Sequence, residues 1–139
     1  MRSDLGPEDV RDLLEMPIVA ILATRRRDDT ILLSPVWFEW RDGGFSVWAT
    51  SREDGKVRHI ARDPRVTIVV GNSDWPYKGI EVRGEAQLSD EGFYELLGST
   101  ARRYLGDEAA ERMVGSYKEG VVIRIEPGNL RVWDYAAEG

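Results

Sequence analysis

Residues 50–65 hold the densest group of chemistry-bearing side chains in the protein: Arg52, Lys56, Arg58, Arg62 and Arg65, with His59 among them. The chain as a whole is acidic, with 19 Lys and Arg against 25 Asp and Glu and a formal charge of −6. A cationic cluster against that background suits an anion. A phosphate would fit if Lys56, His59 and the Ser51-Arg52 loop converge where a short helix begins, because free N–H groups and the positive end of the helix dipole meet there. The same residues also suit a solvated helix face balanced by Glu53, Asp54 and Asp63. Neighbouring cations push the His59 pKa down, so its imidazole fits hydrogen bonding to an anion, or plain packing, better than general-base catalysis.

Aromatic residues form the second feature. Trp37, Phe38 and Trp40 share one predicted strand, Trp48 follows a hairpin, and Trp75-Pro76-Tyr77 occupies a loop. Successive side chains on a strand point to opposite faces, so of Trp37 and Phe38 one can enter the core while the other lines a groove. Walls of that kind match a large planar ligand. Core packing and contacts with a second subunit account for most of the others. Bulky aromatics in a loop, as at Trp75 and Tyr77, need something to cover them.

Composition removes much of the usual catalytic repertoire. With no Cys, thiol catalysis, thiolate zinc sites and disulfides are excluded. One His rules out multi-histidine metal centres. No dinucleotide fingerprint, P-loop or nucleophile elbow is present. The adjacent acids Asp28-Asp29 and Glu53-Asp54 read as solvated turns, so neither a catalytic side chain nor a metal ligand is assigned. A pI near 4.9 argues against broad binding to nucleic acid or anionic membranes. The N-terminus is polar and acidic, and the longest apolar run, residues 16–23, is far short of the ~20 residues that span a bilayer. A cytoplasmic protein of one domain, residues 1–139, is expected. Lys occurs only at Lys56, Lys78 and Lys118, an Arg bias that suits a GC-rich genome.

The elements that must position these residues follow from pattern. Residues 7–15 read as a short amphipathic helix with Pro7 in its first turn. Residues 18–24 form an apolar strand expected to be buried on both faces. Residues 30–40 form a second strand, and Pro35 within it demands an edge or a bulge, since proline cannot donate to the ladder. Arg41-Asp42-Gly43-Gly44 is a hairpin signal. A helix ends at Asp63-Pro64, and strands follow at 65–71 and 78–88. Ser89 with Asp90 and Glu91 reads as a helix N-cap, followed by helices over about 90–105 and 108–114. Strands at 121–126 and 130–135 flank a turn or bulge at Pro127-Gly128-Asn129. Short strands with helices inserted between them predict an α+β, mainly β, fold: an antiparallel β-barrel with short flanking helices.

Taken in order, several segments resemble the pyridoxamine-phosphate-oxidase-like family of flavin and deazaflavin binders. They are residues 18–24 (Ile-Val-Ala-Ile-Leu-Ala-Thr), 33–40 (Leu-Ser-Pro-Val-Trp-Phe-Glu-Trp), 42–45 (Asp-Gly-Gly-Phe), 56–66 (Lys-Val-Arg-His-Ile-Ala-Arg-Asp-Pro-Arg-Val) and 80–86 (Ile-Glu-Val-Arg-Gly-Glu-Ala). The resemblance spans residues 9–134 and implies a split β-barrel and a homodimer with cofactor sites at the subunit interface. Within the family, the Ser-Pro-Val-Trp-Phe-bearing pattern is most like the branch that binds coenzyme F420, a deazaflavin hydride carrier.

The resemblance implies that backbone around Ser34, Pro35 and Val36, and around Ala49 and Thr50, borders the ring. Thr50, Ser51, Arg52, Lys56 and His59 would hold the phosphate and its tail, and Trp75, Tyr77 and Lys78 would close over the cofactor. Two positions depart from the pattern: Asp54 stands where relatives often carry a small hydroxyl residue, and His59 where they often carry Asn. The implied activity is hydride transfer between F420 and an unsaturated small molecule. The alternatives are an FMN-dependent oxidase or reductase on the same fold, and a non-catalytic carrier of a cofactor or tetrapyrrole.

Overall fold

A computed structural model describes residues 4–136. Its frame is seven antiparallel strands: β1 (Ala20–Arg25), β2 (Ile31–Val36), β3 (Glu39–Arg41), β4 (Gly44–Ala49), β5 (Arg65–Gly71), β6 (Lys78–Ser89) and β7 (Val121–Asp134). They pair in the order β2-β1-β5-β6-β7-β4-β3. The edge strands β2 and β3 are successive in the chain and joined only by Trp37 and Phe38. Two linking residues reach at most about 10 Å, roughly twice the spacing of neighbouring strands, so the sheet must curl until its edges approach. The result is a mainly β, α+β split barrel, open between β2 and β3.

Local chemistry accounts for its corners. Pro35 lies on edge strand β2, where its missing N–H interrupts no inner ladder. Asp42 and Gly43 both have positive φ (53° and 74°), the turn that suits tight hairpins, and they join β3 to β4. The two predicted C-terminal strands are one strand, β7, because the break at residues 127–129 is a bulge in its pairing with Arg83 and Gly84 of β6. A Cβ at Gly84 would stand 2.2 Å from the Glu126 carbonyl, so the bulge requires glycine there.

Four helices flank the barrel: α1 (Arg11–Leu14), α2 (Gly55–Arg62), α3 (Phe93–Leu105) and α4 (Asp107–Ser116). The predicted helix over 7–15 is a 3-10 turn, Pro7–Val10, followed by a single α-turn. Ser89 does not cap α3. Its hydroxyl accepts from Glu91 N–H, and the helix begins after Gly92, whose φ of +77° only glycine adopts without strain. No helix among the described residues is long and apolar enough to cross a membrane.

The core fills the barrel with Leu22, Phe38, Phe45, Val47, Ile68, Ile80, Val82, Ile123 and Ile125, closed at α2 by Val57 and Ile60. β1 is not buried on both faces as its apolar run suggests. Its inner residues Ala20, Leu22 and Thr24 are buried, while Ile21 and Ala23 are half-buried on an outer face shared with Leu33 (63% exposed), Ile31 and Pro35. Among the described residues nothing covers that face, which explains the difference.

Candidate functional site

The split between β2 and β3 opens a groove of about 230 Å³ lined by Pro35, Val36, Trp37, Trp48, Lys56 and Met113. The expected strand over 30–40 is broken at Trp37 and Phe38, which pair with no strand, yet the two still divide, with Phe38 fully buried and Trp37 lining the groove. The groove therefore has indole walls, an aliphatic floor from β2 and one cation at its side. A planar ring fits such walls. The lining holds neither a carboxylate nor an imidazole, and its one ionisable side chain is Lys56.

Helix α3 holds both walls. Trp37 stacks on Tyr104 with ring centres 4.7 Å apart and planes 12° from parallel. Trp48 meets Trp37 edge-on at 6.1 Å, and its Nε1–H donates to the buried Thr100 hydroxyl at 2.9 Å. The two residues between β2 and β3 lie outside any ladder, and α3 side chains serve the backbone of Phe38. The Tyr104 hydroxyl accepts from Phe38 N–H (3.3 Å) and donates to the Ile18 carbonyl (2.6 Å). Arg103 donates to the Phe38 carbonyl and lies over the Phe38 ring, 5.0 Å from its centre. Tyr104→Phe keeps the stacking surface but strands the Phe38 N–H and the Ile18 carbonyl. We expect it to lower the unfolding free energy by about 1–3 kcal/mol, measured by denaturant titration, and to weaken the near-ultraviolet circular dichroism of Trp37.

Helix α2 presents the cations. Asp54 is its N-cap: one carboxylate oxygen accepts from Lys56 N–H (3.1 Å) and the other from Lys56 Nζ (3.0 Å). Asp54 therefore does not project into solvent away from Lys56. Arg52 is bound to Asp90 at 2.8 Å, and Arg62 donates to the Arg25 carbonyl. His59 points its Nδ1 to the buried Thr24 hydroxyl on β1, 3.0 Å away.

Burial of His59, and then the charges of Arg62, Arg26 and Arg58, hold its pKa below the ordinary 6.5. The unfolded chain thus takes up a proton near pH 6.5 that the folded chain refuses, and stability falls as pH drops from there through the folded pKa. Thermal unfolding should show this loss as the pH falls below about 6.5. It should be smaller in His59→Asn, whose amide can still meet Thr24. An equal loss in both proteins would place the titrating group elsewhere.

The remaining predicted residues lie apart from the groove. Thr50, Ser51 and Arg52 line a separate cavity of about 400 Å³ with Glu53, Asp90, Phe93, Tyr94 and residues 118–121. Its charged lining, Arg52 and Lys118 against Glu53, Asp90 and Glu119, leaves no excess of positive charge. Ala49 is buried at the end of β4, and Ser34 lies half-buried on the inner side of β2, level with Leu22. Trp75, Tyr77 and Tyr135 cluster at the start of β6, with Trp75 71% exposed. Lys78 is bound to Asp12 of α1. In the sheet order β6 is three strands from β2, and one chain does not bring this loop to the groove.

A family model described as pyridoxamine 5'-phosphate oxidase matches residues 7–134. The chain belongs to this family. Several solved structures share the oxidase-family fold. An F420 reductase is 28% identical with a TM-score of 0.71, the match covering 91% of this chain and 98% of that one. A conserved hypothetical protein from Mycobacterium tuberculosis is 24% identical with a TM-score of 0.83, covering 97% and 89%. HutZ, the haem storage protein from Vibrio cholerae, is 16% identical with a TM-score of 0.70, covering 95% of each chain. No curated protein matches the sequence.

Three residues of this oxidase-family chain are added to the groove by the structure. Trp37 was foreseen only as one of two possible groove residues, Trp48 only as one aromatic among several, and Met113 not at all. The signal for Trp48 is its place beside the Ala49-Thr50 strand end, one residue from a predicted ring contact. Met113 comes from α4, which turns back on α3 at Gly106 (φ +95°) and buries only Ala110. No local pattern marks it.

Proposed function

We propose that this protein is an F420-binding oxidoreductase, with FMN as the alternative cofactor, acting on an unsaturated small molecule. The observation that carries this reading is the groove at the barrel split: two indole walls and one lysine already paired with Asp54, with no carboxylate or imidazole in the lining. In a protein without Cys, whose one His is turned into the barrel, reactivity must come from a bound group. The similarity to an F420 reductase supports the deazaflavin choice.

When bound, the deazaflavin or flavin supplies the hydride. The chain's own residues do the rest. Trp37 and Trp48 flank the ring, the backbone of residues 34–36 borders its edge, Met113 limits access from the α4 side, and Lys56, paired with Asp54, lies on the side of its phosphate. Thr50, Ser51 and Arg52 would accept a tail extending toward the larger cavity.

A second copy of the chain completes the site in this proposal. A groove of about 230 Å³ is smaller than the roughly 300–1,000 Å³ usual for ligand pockets. It adjoins the uncovered face, where Pro35, Ile21 and Val69 lie in one row and Leu33, Ala23 and Thr67 in the next. Contiguous apolar surface of this kind marks an interaction site. Trp75, Tyr77 and Lys78 would reach the groove of the partner.

Titration of the purified protein with F420 and FMN side by side tests the cofactor. Reoxidation of the reduced cofactor by candidate unsaturated acceptors tests the activity. Tight FMN binding without F420 binding would overturn the deazaflavin assignment. Binding without acceptor-dependent reoxidation would make the protein a carrier.

A further inference from the structure

Lys56 is the one cation lining the groove among the described residues, and it is already engaged. Its side chain is only 15% exposed, and its ammonium lies 3.0 Å from a carboxylate oxygen of Asp54. The second oxygen of that carboxylate accepts from Lys56 N–H in the first turn of α2. Asp54 thus fills both attractions that would draw an anion here, the ammonium and the helix N-terminus. The Asp54 backbone is held as well, its N–H donating to the Ser51 carbonyl at 3.2 Å and its carbonyl accepting from Arg58 N–H at 3.0 Å. No nearby cation replaces Lys56: Arg52 is taken by Asp90, Arg62 by a backbone carbonyl, and Arg58 is exposed and does not line the groove.

We propose that Asp54 is a specificity-determining residue, a built-in anion that occupies the place on Lys56 and on the α2 N-terminus that a ligand phosphate would take. The proposal rests on the groove being a ring site, and it assigns the site a ligand class: planar rings held by their faces, with little gain from a phosphate. A phosphate approaching Lys56 meets an opposite charge and a like charge at nearly the same distance, and the two interactions largely cancel. The ring interactions with Trp37 and Trp48 do not depend on that balance.

Asp54→Asn tests this without removing the cap, because Asn ranks with Asp at helix N-caps. Asp54→Ser, which also caps, serves as a second variant. The probes are FMN and riboflavin, which differ by the phosphate alone, and F420 with its phosphate-free ring chromophore, each titrated into the wild-type protein and both variants. In the wild type we expect FMN and riboflavin to bind within about threefold of each other, and in the variants the phosphate-bearing member of a pair to gain at least about tenfold. The phosphate-free member should be nearly unchanged.

An unchanged affinity ratio in both variants would overturn the role of Asp54 while leaving the ring site intact. A wild type that already prefers FMN over riboflavin by about a hundredfold or more would do the same. No binding of any of the four molecules to any of the three proteins would overturn the ring-site reading, and the Asp54 proposal with it.

Discussion

Phe38→Ala is expected to destabilise the fold by about 3–5 kcal/mol, the cost of deleting a fully buried phenyl ring and leaving its cavity. Phe38 is 0% exposed, packs edge-on against Phe45 at 5.5 Å, and lies beneath the Arg103 guanidinium. The site cannot collapse readily, because its backbone is pinned on both sides by Tyr104 and Arg103. The loss should also reach the groove, since Trp37 is the next residue and shares the same two-residue bridge between β2 and β3. We therefore expect a lower unfolding midpoint in urea with an unchanged slope, together with altered tryptophan emission. A loss below about 1 kcal/mol would mean that the bridge is not the closing point of the barrel core.

Lys56→Ala is expected to weaken binding of the phosphate-bearing cofactor by about 1.5–3 kcal/mol, roughly ten- to over a hundredfold. The cause is loss of balance: with the ammonium removed, the Asp54 carboxylate, now without its partner at 3.0 Å, faces the ligand phosphate uncompensated. The Lys56 backbone N–H survives the substitution, so α2 keeps its cap and the fold should be nearly unaffected. Calorimetric titration alongside a thermal melt separates the two. Unchanged affinity would move the phosphate away from α2, toward the cavity at residues 50–53.

What could be read from sequence was what local pattern encodes. Pro35 correctly marks an edge, the Asp42-Gly43 pair marks the β3–β4 hairpin, and the β-branched run at 65–71 coincides with β5. The start of α3 was misread because Ser89, Asp90 and Glu91 satisfy the cap pattern, whereas the backbone reversal at Gly92 decides where the helix begins. β1 was misread as doubly buried because an apolar run does not tell whether the second face is covered by the same chain or by another.

The site was legible by residue type and illegible by partner. The cations of 52–59 stand out in composition, yet two of them find distant partners through the fold: Arg52 in Asp90, just after β6, and His59 in Thr24 on β1. The Trp37–Tyr104 stack joins residues 67 positions apart, and no periodicity reports such a contact. Asp54 was visible as a departure. Its double engagement, as helix cap and as counterion of Lys56, needed coordinates.

The central claim is that the ring of a deazaflavin or flavin sits in the groove at the barrel split, and a crystal structure of the protein with F420 or FMN bound tests it most directly. The account predicts the ring against Trp37 and Trp48, with its edge on the backbone of residues 34–36 and Lys56 on the phosphate side. A second copy should lie across the outer face of β1, β2 and β5. A ring bound instead between Phe93, Tyr94 and residues 118–121, or a complex whose groove holds no ring, would contradict it.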